Sequence, residues 1–356
     1  QCFLNLRFTE AADQLWAKAG HEVASIQLPL GGKLRKRTVK IPAGELQVRE
    51  LEQGIAVAGT NFAARFSSRT GELASLEING RETLLSGPRV NLWRAPTDND
   101  VHLSVHWRKF GLERLQRRLT EWSWRQENGT VCVHAVWVCA PVSFGPVLIH
   151  PLYGNAEDEG DVSADGTLRL ANRFIPLRDN LPPLPRLGLQ LELPEEFDRV
   201  EWYGRGPREN YPDLLAGAEV GLYEAKVAEL HEPYIRPQEN GARGGVKAMT
   251  VTNALGDGLL IACEKGWENR LSFNAHDYSD ELLTRAKHTY DLKSEGKTVL
   301  SLDYRQGGIG SNSCGPKAME KNLLYFREPV EFVLVWKPYR AMDASLMTAL
   351  ESLGLE

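Results

Sequence analysis

Thr130-Val-Cys-Val-His-Ala-Val-Trp-Val138 puts Val131, Val133, Ala135 and Trp137 at every second position. A period of two sends these side chains to one face of an extended strand, so the stretch reads as β and not helix. Upstream, Trp122 and Trp124 keep the same alternation, and Asn128-Gly129 falls between the two runs. Asn-Gly flanked by alternating apolar residues predicts a hairpin turn. Asn128-Gly-Thr130 also fits a glycosylation acceptor, a triplet common by chance. Similar runs recur in Gly54-Ile-Ala-Val-Ala-Gly59, Leu76-Glu-Ile-Asn-Gly-Arg-Glu82, Gly166-Thr-Leu-Arg-Leu-Ala-Asn-Arg-Phe174, Gly188-Leu-Gln-Leu-Glu-Leu193 and Val330-Glu-Phe-Val-Leu-Val-Trp336. Helical spacing is confined to residues 105–118, 279–287 and 344–353. Strands without a regular βαβ rhythm predict an all-β, antiparallel fold, not a doubly wound sheet or an eight-fold barrel.

The 356 residues carry 42 basic and 47 acidic side chains, a net charge of −5, with no long run of either sign. That balance leaves no electrostatic footprint for nucleic acid or an anionic membrane. No apolar run reaches the roughly 18 residues of a membrane helix, and the first residues lack a signal-peptide pattern. Cys2, Cys132, Cys139, Cys263 and Cys314 show no zinc-like spacing and read as reduced thiols, the expectation for a cytoplasmic protein. The basic stretch Gly31-Gly-Lys-Leu-Arg-Lys-Arg-Thr-Val-Lys40 reads as a linker. Before it, Phe3-Leu-Asn-Leu-Arg-Phe8 and Glu22-Val-Ala-Ser-Ile-Gln-Leu28 are strands too few to bury their apolar faces alone. The expected division is a remnant of a β-sandwich domain with its linker over residues 1–40, and one large β domain over 41–356.

Four segments break the alternation: Pro88-Arg-Val-Asn-Leu-Trp-Arg-Ala-Pro-Thr-Asp-Asn-Asp100, Trp202-Tyr-Gly-Arg-Gly-Pro-Arg-Glu-Asn-Tyr-Pro-Asp213, Pro233-Tyr-Ile-Arg-Pro-Gln-Glu-Asn-Gly-Ala-Arg-Gly-Gly245 and Gly307-Gly-Ile-Gly-Ser-Asn-Ser-Cys-Gly-Pro316. They mix flat rings, arginines, amides and carboxylates, the composition of a surface that handles sugars. Together, in this order, they resemble the C-terminal domain of large bacterial β-galactosidases of glycoside hydrolase family 2, from about residue 48 to 337. The start of the chain resembles the end of the sandwich domain preceding it in that family.

The resemblance implies a large antiparallel β-supersandwich similar to galactose mutarotase. It also implies a role in completing and bracing the active site for hydrolysis of terminal non-reducing β-D-galactosides. The catalytic glutamates are then expected in a barrel, in the same or a companion chain, and the assembly is expected to be a homo-oligomer. Magnesium and sodium are expected for the whole enzyme and no cofactor for this chain alone, since the magnesium ligands lie in the barrel. The family's sodium ion uses backbone carbonyls of a Phe-Pro pair that corresponds to Arg236-Pro237, where a guanidinium beside the cation is unfavourable. The substrate-proximal residues expected from the resemblance are Ser311, Asn312, Ser313 and Cys314. In enterobacterial members this loop carries a tryptophan that stacks on substrate, and Cys314 stands in its place. The cysteine is equally readable as a small buried hydrophobe.

Trp202, Arg205, Glu209, Arg236, Glu239, Asn240 and Trp267 are candidate sugar contacts. Glu209 and Glu239 have the residue type of a retaining glycosidase pair. Their setting beside asparagines and arginines favours anchors that satisfy backbone N–H groups or pair with Arg205, Arg208, Arg236 or Arg243. Asp98-Asn99-Asp100 offers oxygen ligands to a hard cation. Hydrogen bonds to nearby backbone, with Trp93 packed and Arg94 ion-paired, account for the same residues. His231, His276 and His288 are the histidines that a stand-alone aldose 1-epimerase would draw on. A carbohydrate-binding module without catalysis is the other alternative.

Overall fold

The computed structural model describes residues 2–31, 46–127, 130–140, 147–152, 166–176, 180–310 and 318–355. It comprises two compact units, Gln1–Val39 and Lys40–Leu355. In the first, strands Cys2–Thr9 and Glu22–Leu30 pair antiparallel, with Leu4 opposite Leu28 and Leu6 opposite Ile26. The linker read at residues 31–40 lies, beyond Gly31, outside the described residues.

The second unit is all-β in its framework, and every strand pair in it is antiparallel. Its nine-stranded sheet runs, edge to edge, Glu219–Lys226, Arg199–Gly206, Ala248–Thr252, Asp257–Lys265, Val330–Arg340, Leu168–Phe174, Val147–Leu152, Thr130–Ala140, Gln116–Glu127. A five-stranded sheet runs Arg243–Val246, Leu271–His276, Lys297–Gln306, Arg186–Pro194, Ser86–Asn91. A meander of Gln47–Leu51, Gly54–Ala58, Phe62–Ser67, Leu73–Ile78 and Arg81–Glu82 forms a third sheet. Its last hairpin turns at Asn79-Gly80, both with positive φ (52° and 76°), the type I′ geometry that glycine and asparagine tolerate.

The nine-stranded and five-stranded sheets contribute to one apolar core, which the alternation within each strand predicts. Trp202 of the larger sheet meets Phe273 of the smaller edge to face at 5.6 Å, and Tyr304 meets Phe332 at 6.1 Å. Leu187, Leu189, Leu191 and Leu193 are at most 1% exposed, as are Leu300 and Leu302. The central strand Ala248–Thr252 is buried along its whole length because helix Leu346–Ser352 covers Ala248 and Leu260 on the other side. Trp137 is buried, and Trp122 and Trp124 pack partly buried against the core. The two strands flanking Asn128-Gly129 pair with Glu127 opposite Thr130, and the turn residues themselves lie outside the described residues.

Helix boundaries differ from the periodicity in one place. The expected helix over residues 105–118 is a helix over Val101–Lys109, a 3-10 turn over Leu112–Arg114 and then the strand Gln116–Glu127. Gly111, with φ 70°, ends the helix in a left-handed conformation that suits glycine. Two further α-helices among the described residues are Asp280–Arg285 and Leu346–Ser352, where Ser279 and Ser345 accept hydrogen bonds from the Leu282 and Thr348 amides as N-caps.

Replacing Phe273 by alanine is expected to lower the unfolding free energy by about 3–5 kcal/mol through loss of burial and a residual cavity. Met342→Ala, at a residue 79% exposed, is expected to stay within about 0.5 kcal/mol of wild type. Urea denaturation of the two variants checks both.

Candidate functional site

The register of the five-stranded sheet sorts its side chains by chemistry. Arg89, Gln190, Ser301 and Asn274 form one cross-strand row, whereas Val90, Leu189, Leu302 and Phe273 form the neighbouring one. Directly opposed residues share a face, so one face of this sheet is apolar and joins the core, and the other is polar. Asp303 belongs to the polar face, opposite Gly188. A Cβ on Gly188 would lie 2.4 Å from Asp303 Oδ1, so that close approach requires glycine.

Arg186, with 0% exposure, is the centre of the polar face. Its Nη2 donates to Glu239 Oε1 at 3.1 Å and Asn274 Oδ1 at 3.0 Å, and its Nη1 to Asp280 Oδ2 and Ser301 Oγ, each at 3.2 Å. Asp303 Oδ2 is 3.5 Å from Nε. Glu239 Oε1 also accepts from Tyr211 Oη at 3.2 Å and Asn274 Nδ2 at 2.8 Å. Three carboxylates around one guanidinium exceed its charge. Burial accordingly pushes the Glu239 carboxyl up to about 7, although Arg186 pulls the other way, and pushes Asp303 up to about 6. For Arg186 burial opposes the charge, and Asp303, Glu239 and Asp280 more than offset it, so its pKa is raised.

A second buried guanidinium reaches toward the glycine-rich segment. Arg94, 1% exposed, pairs with Asp100 through Nε–Oδ2 (3.2 Å) and Nη2–Oδ1 (2.9 Å). It also donates to the carbonyls of Gly307 at 2.8 Å and Gly308 at 2.9 Å. Asp213 accepts from the amides of Ile309 at 3.2 Å and Gly310 at 2.8 Å, and Asn99 Nδ2 donates to the Ile309 carbonyl at 2.9 Å. The backbone of residues 307–310 is therefore held by side chains from two other motif segments. The third motif joins through Glu239, whose amide donates to the Ala95 carbonyl at 3.0 Å, and through Gln238, which exchanges hydrogen bonds with Asp98 at 3.1 and 3.2 Å. Asp98, Asn99 and Asp100 are thus engaged with neighbouring protein groups, and Trp93 is buried while Arg94 is ion-paired.

The candidate residues fall into separate environments. Ser311, Asn312, Ser313 and Cys314 lie outside the described residues. Trp202 is 1% exposed, packed against Tyr223 and Phe273 and under Arg243, so it is a core residue and not a stacking platform. Trp267 is 44% exposed, with Arg305 stacked 4.0 Å from its centroid. Glu209 accepts from Tyr234 Oη and, at 2.7 Å, from the Gly241 amide. Glu239 and Asn240 are buried at 2% and 1%. Both glutamates are anchors, but neither uses an arginine expected for it as a hydrogen-bonding partner. Arg205 and Arg243 donate to backbone carbonyls instead, and Glu239 takes Arg186.

Arg236 is exposed, and its carbonyl accepts from Gln238 Nε2 at 3.1 Å. His276 is buried against the Asn240 carbonyl, and burial depresses its imidazole to about 3. His231 is also depressed, again chiefly by burial. His288 stacks on Tyr290, with centroids 4.9 Å apart.

Antiparallel sheets with one buried polar face, covered by motif loops that converge on the glycine-rich stretch 307–310, define a β scaffold of packed sheets. Residues 58–336 match the family described as beta galactosidase small chain, and residues 1–31 match beta-galactosidase, domain 4. The chain belongs to the β-galactosidase small-chain family. It is 35% identical over 313 residues to a beta-galactosidase of Priestia megaterium, covering 87% of this chain and 28% of that relative. It is 29% identical over 334 residues to a beta-galactosidase of Actinobacillus pleuropneumoniae, covering 94% and 32%. The chain thus spans about a third or less of these relatives' length. Among solved structures it is similar to a galactose mutarotase-like protein from Clostridium acetobutylicum (TM-score 0.44, 9% identity, 83% of this chain and 98% of that one). It is similar also to a putative aldose 1-epimerase from Escherichia coli (TM-score 0.40, 9% identity, 83% and 99%). No helix among the described residues is long and apolar enough to cross a membrane.

Arg186→Met strands buried carboxylates and is expected to cost about 3–5 kcal/mol in chemical denaturation. Glu239→Gln separates charge from shape. Because the folded carboxyl titrates near 7, above its unfolded value, the native state holds a proton that the unfolded chain has lost. This group's contribution is complete below the unfolded pKa and declines as pH rises to about 7. The stability difference between Glu239→Gln and wild type should therefore move in favour of the variant across that window, as denaturation series at several pH values would show.

Proposed function

We propose that the Lys40–Leu355 unit completes and braces an active site for hydrolysis of terminal non-reducing β-D-galactosides. The catalytic carboxylates belong to a barrel in the same polypeptide or a companion chain. The observation that carries this reading is the stem of residues 307–310, whose backbone groups are bonded by Arg94, Asn99 and Asp213. So many fixed bonds on one short glycine-rich stretch hold its backbone in a single conformation. Positioning of that kind lets a site on a loop act with the precision of one on a rigid element. Membership in the small-chain family supports this substrate class, since the relatives are named beta-galactosidases.

Glu209 and Glu239 are spent on anchoring. Glu239 is 2% exposed and has no open face for a substrate. Retaining hydrolysis needs two carboxyl groups about 5–5.5 Å apart on either side of the scissile bond. In this proposal those come from the barrel, while this domain presents residues 311–314 to the substrate and excludes water around them.

The purified 356-residue chain alone is expected to give no turnover of a chromogenic β-galactoside, and measurable hydrolysis by it would overturn the reading. In the full-length enzyme, Asp213→Ala removes two charge-assisted hydrogen bonds from the stem. It should lower kcat/KM by about tenfold or more, with little change in global unfolding. Steady-state kinetics beside a thermal melt tests this, and an unchanged kcat/KM would remove the bracing role from Asp213.

A further inference from the structure

The polar face of the five-stranded sheet opens, at its Ser86–Asn91 edge, into a cavity of about 310 Å³ that includes Arg89, Asn91, Gln190, Glu192, Asp280 and Lys297 in its wall. We propose that this cavity binds a single neutral hexopyranose. Its volume is at the small end of the roughly 300–1,000 Å³ range of small-molecule sites, the scale of one sugar ring and not of an oligosaccharide.

Asp280 is the fixed point of the wall. It is 9% exposed, and its Oδ2 accepts from Asn91 Nδ2 at 2.9 Å, Gln190 Nε2 at 3.0 Å and Arg186 Nη1 at 3.2 Å. All of these bonds fall on one oxygen, and Oδ1 accepts none among the described residues. Gln190 likewise spends its amide nitrogen on Asp280 and Ser301, leaving Oε1 as an acceptor. Two acceptors held in place call for hydroxyl donors. Donors are present as well, because Lys297 Nζ pairs with Glu192 Oε1 at 2.7 Å and keeps further N–H groups, and Arg89 is exposed. A sugar hydroxyl both donates and accepts, so it satisfies such a mixed wall where a pure donor or acceptor does not.

Charge narrows the class. The lining has five carboxylates against three cationic groups, which disfavours an anion, while the interspersed cations disfavour a metal ion or an amine. Leu112 and Leu115 add apolar surface suited to the C–H groups of a pyranose, which a simple ion would leave unused.

The test uses the full chain, with galactose, glucose and inorganic phosphate as probes in isothermal titration and ligand-observed NMR. Galactose or glucose is expected to bind with a Kd on the order of 1 mM. Lys297→Met and Arg89→Ala, both on the rim, should weaken binding by about tenfold between them while leaving urea midpoints unchanged. Gln190→Leu should weaken it further. The proposal is overturned if neither sugar binds at concentrations about a hundredfold above 1 mM. It is also overturned if the rim variants and Gln190→Leu bind as wild type does, which would put the sugar elsewhere, or if phosphate displaces the sugar.

Discussion

A guanidinium taken out of water is tolerable only when its charge and its N–H groups are answered locally. Arg186 is wholly buried, and its partners come from segments 94, 53, 88 and 115 residues away in the chain. These contacts depend on the register of the five-stranded sheet, which brings Ser301 and Asn274 alongside Gln190. The loops that cover the polar face are constrained in turn. A loop that moved away would expose or strand a carboxylate that the arginine needs. The apolar core accounts for the strands closing face to face, and this single cation accounts for the long loops lying down over them.

From that centre the constraint propagates by short steps. Glu239 links Arg186 to Tyr211, and its amide fastens the backbone at Ala95, next to Arg94. Arg94 then reaches the carbonyls of Gly307 and Gly308. Carboxylates and arginines that look like catalytic equipment are therefore a frame, in which Arg94, Arg186, Asp100, Asp213 and Glu239 each bond to neighbouring protein groups. The frame ends on a backbone segment held from both sides, and the function proposed for the domain rests on that.

Much of this was legible from alternation alone. The strand edges, the two N-capped helices and the four motif segments are all visible as departures from or adherence to a period of two. Arg186 was not. Arg186, Gly188, Gln190 and Glu192 occupy alternate positions of a strand whose other face is all leucine, a pattern that reads as an ordinary solvent face. Only the loops convert that face into an interior, and which loops do so depends on tertiary structure that no local pattern encodes. Trp202 was misread for the converse reason. Its position beside glycines looked like a surface ring, yet Trp202 belongs to strand Arg199–Gly206 and points into the core. The register of a strand outweighs the composition of the loop that follows it.

The same reasoning explains why one sheet face can serve two ends. A row of amides, hydroxyls and carboxylates can satisfy an internal arginine or a sugar, since both ask for planar acceptors and directional donors. Around Asn274 the loops close and the groups answer one another, with Asn274 engaged by Arg186, Glu239 and Gln306. Around Gln190 they part, and acceptors with unused lone pairs line a cavity. Asp280 sits at the boundary and serves both sides, one oxygen turned to the frame and the other left for a ligand. A hydroxyl donating to that second oxygen would stabilise the charged carboxylate, and with it the ion pair to Arg186.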